Sequence, residues 1–450
     1  MRALAVIPLA FVAGAIASRI ALRWAPAAIH ASILSQPLPV ATDWGAFGAV
    51  LWCVAAVTLA IAAGTYVAAL RGAPGLSIAA VLASGAAALC AAWLFPVWFS
   101  SDVYAYATYG ELARLGANPY AHQVLPHGNA VFEAAFPQWG NPPPVCVYGP
   151  LFVEIARVLV QIAAPLGVRA QLDAFRLLAS VSLLACTGLA YLTAGGDRPR
   201  GVAAAVAIGL NPVLIWTAAE GHNDAVMMAI VLASFVALRR YGPGVAAFVA
   251  ALAALVKIPG AIAAVGIAIA ASGGGRKRAI AAWLGALAGL FFASVMLRPW
   301  ADGIVHQIAG RGHYDPQASF QGIFAFRPEL AISLAALAAA ACAAYGALML
   351  RKGEPDGWCA LALGAWLLIP NPYPWYGLWV VAAALLAPRG RFSQTLMLLA
   401  LLTPLRYLPD VAATLGPVSS AALAVLASLP LLRLFRPRAT SADSAIISAP

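Results

Sequence analysis

Residues 46–70 read AFGAVLWCVAAVTLAIAAGTYVAAL, and no charged side chain interrupts them before Arg71. A helix of this length rises about 37 Å at 1.5 Å per residue. That exceeds the hydrocarbon core of a bilayer, which is about 30 Å thick. The stretch therefore predicts a helix that crosses a membrane, with Arg71 at one end of it.

Comparable apolar stretches recur along the whole chain of 450 residues. Hydrophobic residues make up 63% of it and charged residues 10%, with a mean hydropathy of +0.87. A soluble core cannot hide so much apolar side chain. We therefore predict an all-α polytopic membrane protein with about 12–14 transmembrane helices in one domain, residues 1–438. The predicted spans are 3–22, 46–70, 77–97, 173–194, 201–217, 225–238, 243–257, 259–273, 279–297, 329–350, 357–370, 376–388, 393–408 and 416–434.

The basic residues indicate how these spans are oriented. The formal net charge is +11, but the cations are spread over many short loops. That distribution favours contact with membrane lipids and argues against a nucleic-acid partner. If the N-terminus is cytoplasmic, nearly every basic cluster falls inside. These clusters are Arg71, 197–200, Arg239 with Arg240, 276–278, Arg351 with Lys352, Arg389 with Arg391, and Arg433 with Arg436 and Arg438.

This orientation leaves two long segments on the outer side, residues 98–172 and 298–328. Within the first, residues 151–166 include Glu154 and Arg157, which are costly at the centre of a bilayer. These residues predict an amphipathic helix at the outer interface rather than another span. Most acidic residues fall in outer segments or at outer helix ends, so we expect the chemistry there. Residues 439–450 predict a disordered tail.

The first outer segment begins with a carboxylate followed by aromatic residues. It reads SDVYAYATYG at 101–110, then GANPY at 116–120 and VYGPL at 147–151. Tyrosines at a membrane boundary can simply form an interfacial belt. Asp102 is harder to explain in that way, and it is our candidate for a functional acid.

Three later stretches place further polar and aromatic residues at outer helix ends. They are EGHNDA at 220–225, VKIP at 256–259 and PYPWYGLW at 372–379. The six cysteines have no metal-like spacing, and we predict neither a disulfide framework nor a metal site.

Taken together, these stretches resemble the motifs of the GT-C class of glycosyltransferases. Within that class the likeness is to the polyprenol-phosphate-mannose-dependent α-mannosyltransferases of actinobacterial lipoglycans, which include α-1,6-mannosyltransferases. The motif at 148–151 reads Tyr-Gly-Pro-Leu where that family often has Tyr-Pro-Pro-Leu. The resemblance implies a GT-C fold in the plasma membrane with its active site on the extracytoplasmic side. It also implies a polyprenyl-phosphate-linked sugar as donor, most characteristically mannose, a glycan or glycolipid acceptor, and no cofactor.

Chemistry and resemblance together assign a role to Asp102. Glycosyl transfer from a lipid phosphate needs one base to take the proton of the acceptor hydroxyl, since phosphate already leaves as a stable anion. We predict Asp102 as that base, in a single displacement that inverts the anomeric configuration. Burial at the boundary is expected to raise its pKa.

The remaining candidates would bind substrate. Lys257 lies at an outer helix end, away from the inner basic clusters, and is the candidate for the donor phosphate, with snorkelling to headgroups as its alternative. Asn223 or Asp224 could instead cap the helix that follows. The full predicted set of substrate-binding residues is Tyr104, Tyr106, Asn118, Tyr120, His122, Tyr148, Glu220, His222, Asn223, Asp224, Lys257, Tyr373, Trp375 and Tyr376.

Two other classes of protein fit a polytopic chain. A transporter or flippase would carry intramembrane charges near the middle of its spans and in related halves. A structural subunit would need neither Asp102 nor the polar cluster at 220–224. Because the polar residues gather at outer helix ends, the sequence favours the enzyme.

Overall fold

The computed structural model describes residues 2–40, 45–97, 100–298, 316–387, 390–407 and 417–435. Within them the chain is helical, and the only β-type pairing is an isolated bridge between Val40 and Val97. The predicted all-α class is confirmed. The predicted tail at 439–450 and most of the second outer segment, 298–328, lie outside the described residues.

Every predicted span coincides with at least one helix. The α-helices of the described residues are α1 (Arg2–Leu22), α2 (Ala27–Ser35), α3 (Gly45–Arg71), α4 (Ile78–Ala92), α5 (Asp102–Arg114), α6 (Ala130–Trp139), α7 (Pro150–Ala163), α8 (Val168–Thr193), α9 (Arg198–Gly209), α10 (Pro212–Ala219), α11 (Asp224–Tyr241), α12 (Pro243–Ala254), α13 (Ala261–Gly273), α14 (Arg276–Leu297), α15 (Pro328–Arg351), α16 (Asp356–Leu367), α17 (Gly377–Ala384), α18 (Arg391–Leu402) and α19 (Pro417–Ser428).

Four of these helices are individually long and apolar enough to cross a bilayer. The crossing segments are Leu4–Leu22, Phe47–Arg71, Val168–Thr193 and Pro328–Arg351. Shorter apolar helices, among them Ile78–Ala92 and Pro243–Ala254, lie between them. The chain is therefore a polytopic membrane protein in which long and short apolar helices alternate.

The predicted span at 201–217 is broken in the middle. Its two halves, α9 and α10, meet at an angle of 52° and could form a fifth crossing together. The cause is local, since Pro212 at the start of α10 has no N–H for the helical ladder. Asn211 supplies the cap, because its side-chain oxygen accepts hydrogen bonds from the N–H groups of Val213 and Leu214 at 3.0 and 3.4 Å.

The first outer segment folds as three helices, α5 to α7. The amphipathic helix predicted at 151–166 is α7, Pro150–Ala163. Its Phe152, Val153, Ala156 and Val160 side chains are buried on one face, whereas Glu154 and Arg157 are each about one-third exposed. Helix α5 packs against this buried face and against α8. Every residue of α5 from Val103 to Ala113 is buried, so the helix that begins at Asp102 is held on all sides.

The VYGPL motif docks the outer segment onto the turn between α12 and α13. The N–H groups of Gly149 and Leu151 donate to the carbonyl oxygens of Val256 and Leu255 at 2.9 and 3.0 Å. A Cβ atom at position 149 would lie 2.1 Å from the Leu255 oxygen, so only glycine permits this approach. The contact places Tyr148 beside the turn that carries Lys257.

This docking gives a stability prediction for Gly149→Ala. The methyl group would force the two backbones apart, and we expect the free energy of unfolding to fall by about 1–3 kcal/mol. Gly188→Ala is the matched control, because Gly188 lies inside α8 with open space around it and alanine there favours the helix. Thermal unfolding of both variants in the same detergent is the measurement. Equal melting temperatures for the two variants would contradict the docking role.

Candidate functional site

Asp102 lies at the first turn of α5, where several donors converge on its carboxylate. The hydroxyl of Ser100 donates to Oδ1 at 2.5 Å, and the hydroxyls of Tyr106 and Tyr148 donate to Oδ2 at 3.1 and 3.4 Å. Tyr106 reaches the carboxylate because positions four apart share one face of a helix. The Asp102 side chain is 14% exposed, so it remains open to a small part of the surface.

The charged form of this carboxylate is favoured. Burial alone would raise the pKa of Asp102, as the sequence suggested, but His222, Ser100 and Lys257 together outweigh burial and hold this pKa below its ordinary value. The expectation of a raised pKa was therefore wrong, because the sequence does not show which donors surround the carboxylate. Burial and the neighbouring charge of Asp102 raise the pKa of Tyr106 and of Tyr148 well above the ordinary value. Both hydroxyls therefore keep their protons and donate.

His222 comes from the short connection between α10 and α11. Its Nδ1 lies 3.5 Å from Oδ2 of Asp102 and its Nε2 lies 4.0 Å from Oε2 of Glu220. The imidazole is 2% exposed, and its contacts with these two carboxylates are longer than ordinary hydrogen bonds. Glu220 itself accepts a hydrogen bond of 2.9 Å from the indole N–H of Trp216.

Asp224 and Lys257 form a buried ion pair at the start of α11. The ammonium Nζ lies 3.1 Å from Oδ1 and 2.9 Å from Oδ2 of Asp224. The indole N–H of Trp379 donates to Oδ1 at 2.6 Å. Asp224 is 1% exposed and the Lys257 side chain 12%, so a low-dielectric surrounding strengthens the pair.

Aromatic rings connect the carboxylate and the cation. Tyr148 donates to Asp102, while the Lys257 ammonium lies 5.5 Å above its ring and 4.8 Å above that of Tyr376. Cation–π attraction of this kind adds to the ion pair. Asp102, Tyr148 and Lys257 therefore belong to one site, although nearly all of the first outer segment and several helices separate Asp102 from Lys257 in the sequence.

A stack of flat rings closes one side of this site. His222 stacks on Trp375 with ring centroids 3.8 Å apart, and Trp375 stacks on Tyr373 at 4.5 Å. The guanidinium carbon of Arg406 lies over the Tyr373 ring, 4.9 Å from its centroid. The aromatic residues of the 372–379 motif thus contact the 220–224 cluster directly, as the sequence predicted only in outline.

An apolar groove lies next to the ion pair. Helices α11, α13, α16 and α17 form it, and its walls include Met227, Phe235, Ala263, Trp358 and Trp366. Trp379 and Pro259 also line it. Because Trp379 bonds to Asp224 and Pro259 follows Lys257 by two residues, the polar site lies at one end of the groove.

Four predicted residues do not join this site. The Tyr104 hydroxyl donates to the Leu38 carbonyl at 2.6 Å and lies on the far side of α5. Asn118 accepts from the N–H of Tyr120, whose hydroxyl donates to the Tyr148 carbonyl, so both support the loop. His122 is exposed.

Sequence reasoning missed three residues that shape the site. The Ser100 hydroxyl donates to Asp102. The indole N–H of Trp379, the last residue of the 372–379 motif, donates to Asp224. Arg176 is 1% exposed and donates to the carbonyl oxygens of Ala219 and Trp93 at 2.7 and 3.2 Å. It fixes the end of α10 just before Glu220. An arginine inside the predicted span 173–194 was the available signal.

Comparison with known proteins places this sequence in a family. The sequence model of the MptA_B family, described as the alpha-(1->6)-mannopyranosyltransferase N-terminal domain, matches residues 3–274, more than half of the chain. The chain belongs to this mannosyltransferase family. No curated protein and no solved structure matches it.

Family membership confirms the glycosyltransferase that the sequence predicted, and with it the GT-C-like resemblance. The matched segment contains Asp102, the cluster at 220–224 and Lys257, whereas the rings at 373–379 lie beyond it. The predicted site therefore draws on both the matched segment and the part that follows.

The Asp224–Lys257 pair gives a second prediction. Asp224→Asn or Lys257→Met leaves one buried charge without its partner, and we expect each to lower the free energy of unfolding by about 3 kcal/mol or more. The double variant should lose less than the sum of the two, because no unpaired charge remains. Glu154→Gln is the control, since the Glu154–Arg157 pair is about one-third exposed on both sides and such pairs contribute little. Additive losses from unfolding curves would show that the two side chains do not interact.

Proposed function

We propose that this protein transfers mannose from a polyprenyl-phosphate donor to a glycan or glycolipid acceptor on the outer face of the plasma membrane. Asp102 acts as the general base, and the reaction inverts the anomeric configuration. Membership of a mannosyltransferase family favours this enzyme over the transporter alternative.

One observation carries the proposal. A buried site that holds an ionised carboxylate and an ammonium lies at one end of an apolar groove between helices. The parts of a polyprenyl-phosphate sugar follow the same order: an apolar chain, then an anionic phosphate, then a polar sugar ring. The groove would take the chain, Lys257 the phosphate, and the space beside Asp102 the sugar and the acceptor hydroxyl.

The proposed reaction uses each group once. Asp102 accepts the proton of the acceptor hydroxyl while that oxygen attacks the anomeric carbon from the face opposite the phosphate. The bond between the anomeric carbon and the phosphate oxygen breaks, and its electron pair stays on the phosphate. The Lys257 ammonium stabilises the negative charge that develops there. A β-linked lipid sugar thus yields an α-glycoside.

The local electrostatics support the assignment of Asp102. A base must be unprotonated before the reaction, and the lowered pKa of Asp102 keeps it ionised at neutral pH. Ser100, Tyr106 and Tyr148 fix its orientation with three hydroxyl donors. One lone-pair direction must stay open for the acceptor hydroxyl, and the 14% exposure of the side chain is consistent with that access.

The base assignment is tested with Asp102→Asn, which keeps the shape of the side chain but cannot accept the proton. We expect kcat/KM to fall by about 100-fold or more. The assay follows radiolabelled mannose from synthetic polyprenyl-phosphate mannose into a cell-envelope extract, with the protein in nanodiscs. Glu133→Gln is the control, because Glu133 belongs to the same outer segment but is 46% exposed. Equal rates for Asp102→Asn and wild type would remove Asp102 from the mechanism.

The groove assignment is tested by filling it. Ala263→Phe places a ring into the groove, so we expect KM for a long-chain donor to rise about tenfold or more, while a donor with a very short chain is little affected. Val265→Phe is the control on the same helix, because Val265 is 45% exposed and does not line the groove. Identical chain-length dependence in all three proteins would place the lipid elsewhere.

A further inference from the structure

Asn223 has a buried side chain with no hydrogen-bond partner among the residues that the structure describes. The sequence allowed it to cap α11, and it does occupy the N-cap position of that helix, but its side chain makes no capping hydrogen bond. The residue is 1% exposed, and neither its Oδ1 nor its Nδ2 makes any hydrogen bond. Capping therefore does not explain this carboxamide.

The neighbours of Asn223 in the cluster at 220–224 contact other side chains. Glu220 accepts from Trp216, and Asp224 holds Lys257 and Trp379. His222 stacks on Trp375, and its two ring nitrogens face the carboxylates of Asp102 and Glu220. Asn223 is thus the member of the cluster whose side chain is uncommitted in both its donor and its acceptor.

Such a group is unusual in a folded protein. Nearly all buried polar side chains find a hydrogen-bond partner, and those that do not require a separate explanation. A carboxamide offers two N–H donors and one carbonyl acceptor in a plane. Neighbouring hydroxyl groups on a sugar ring can both donate and accept, so they match a carboxamide better than a phosphate does, which can only accept.

The position of Asn223 indicates which ring it would contact. Its backbone interacts with the hydroxyl of Tyr106, which donates to Asp102, and the next residue is the partner of Lys257. In the proposed in-line displacement, the transferred sugar lies between the base and the phosphate. Asn223 is therefore connected to Asp102 through Tyr106 and to Lys257 through Asp224.

We propose that the side-chain carboxamide of Asn223 binds hydroxyl groups of the sugar that is transferred, and that it helps to select that sugar. This inference rests on the proposed function, because Asp102 and Lys257 define the two ends of the reacting bond. A site built to bind a hydroxyl rejects an analogue that lacks it, since a buried polar group is then left unpaired.

The test is a cycle of Asn223→Ala against donor analogues, with the full-length protein in nanodiscs. The donors are polyprenyl-phosphate mannose and its 2-, 3-, 4- and 6-deoxy forms, and kcat/KM is measured for each. We expect Asn223→Ala to lower kcat/KM about 100-fold with the parent donor and most analogues. With the analogue that lacks the contacted hydroxyl, wild type and variant should agree within about threefold. Asn118→Ala is the control, because Asn118 supports the outer loop and should affect all donors equally.

The outcomes separate the possible sources of the effect. An equal loss with every donor would assign Asn223 a structural role and overturn the inference. If wild type and Asn223→Ala instead agree only when the acceptor lacks a hydroxyl group, Asn223 binds the acceptor and not the transferred sugar. That result would also overturn the inference. If wild type transfers sugar from no polyprenyl-phosphate donor, the proposed function fails first, and this inference fails with it.

Stability supplies an independent readout. Removal of an unpaired buried amide relieves the cost of its desolvation. We therefore expect Asn223→Ala to unfold at or above the wild-type temperature in the absence of substrate, even though it transfers sugar poorly. A melting temperature that falls in parallel with activity would point to a structural partner and contradict the inference.

Discussion

The hydrogen bonds from Gly149 and Leu151 to the turn after α12 are the contact on which the site depends. One side of that contact leads through Tyr148 to Asp102, and the other leads to Lys257. A carboxylate and an ammonium from distant parts of the chain can share one site only if their backbones are fixed together. Glycine at 149 makes this possible because no side chain fits between its backbone and that of Leu255.

The sequence predicted the helices well because the membrane constrains them strongly. Apolar length fixes most spans, and Glu154 with Arg157 correctly identified the amphipathic helix at 150–163. The span at 201–217 was predicted as unbroken despite Pro212, because apolar residues continue on both sides of this proline. The number of crossings is harder to predict, because several helices are shorter than a bilayer is thick.

The site was predicted less completely. Asp102, His222, Asp224 and Lys257 come together as their common placement at helix ends indicated. Tyr104, Asn118, Tyr120 and His122 lie in the same motifs but support the loop or face outward. A motif marks a stretch of chain, whereas the helical period decides which of its side chains point to one centre. The direction of the Asp102 pKa shift likewise depends on groups such as His222 and Lys257 that only the fold brings near.

The bond between Trp379 and Asp224 has a consequence for how the chain can be divided. The segment shared with the family ends at residue 274, yet the indole that holds Asp224 and the ring that stacks on His222 come from residues 375–379. A fragment cut at that boundary would keep Asp102 and Lys257 but expose the cluster at 220–224 to lipid or water. The end of the matched segment is thus not a boundary of the candidate site, because residues from both parts of the chain contact one another there.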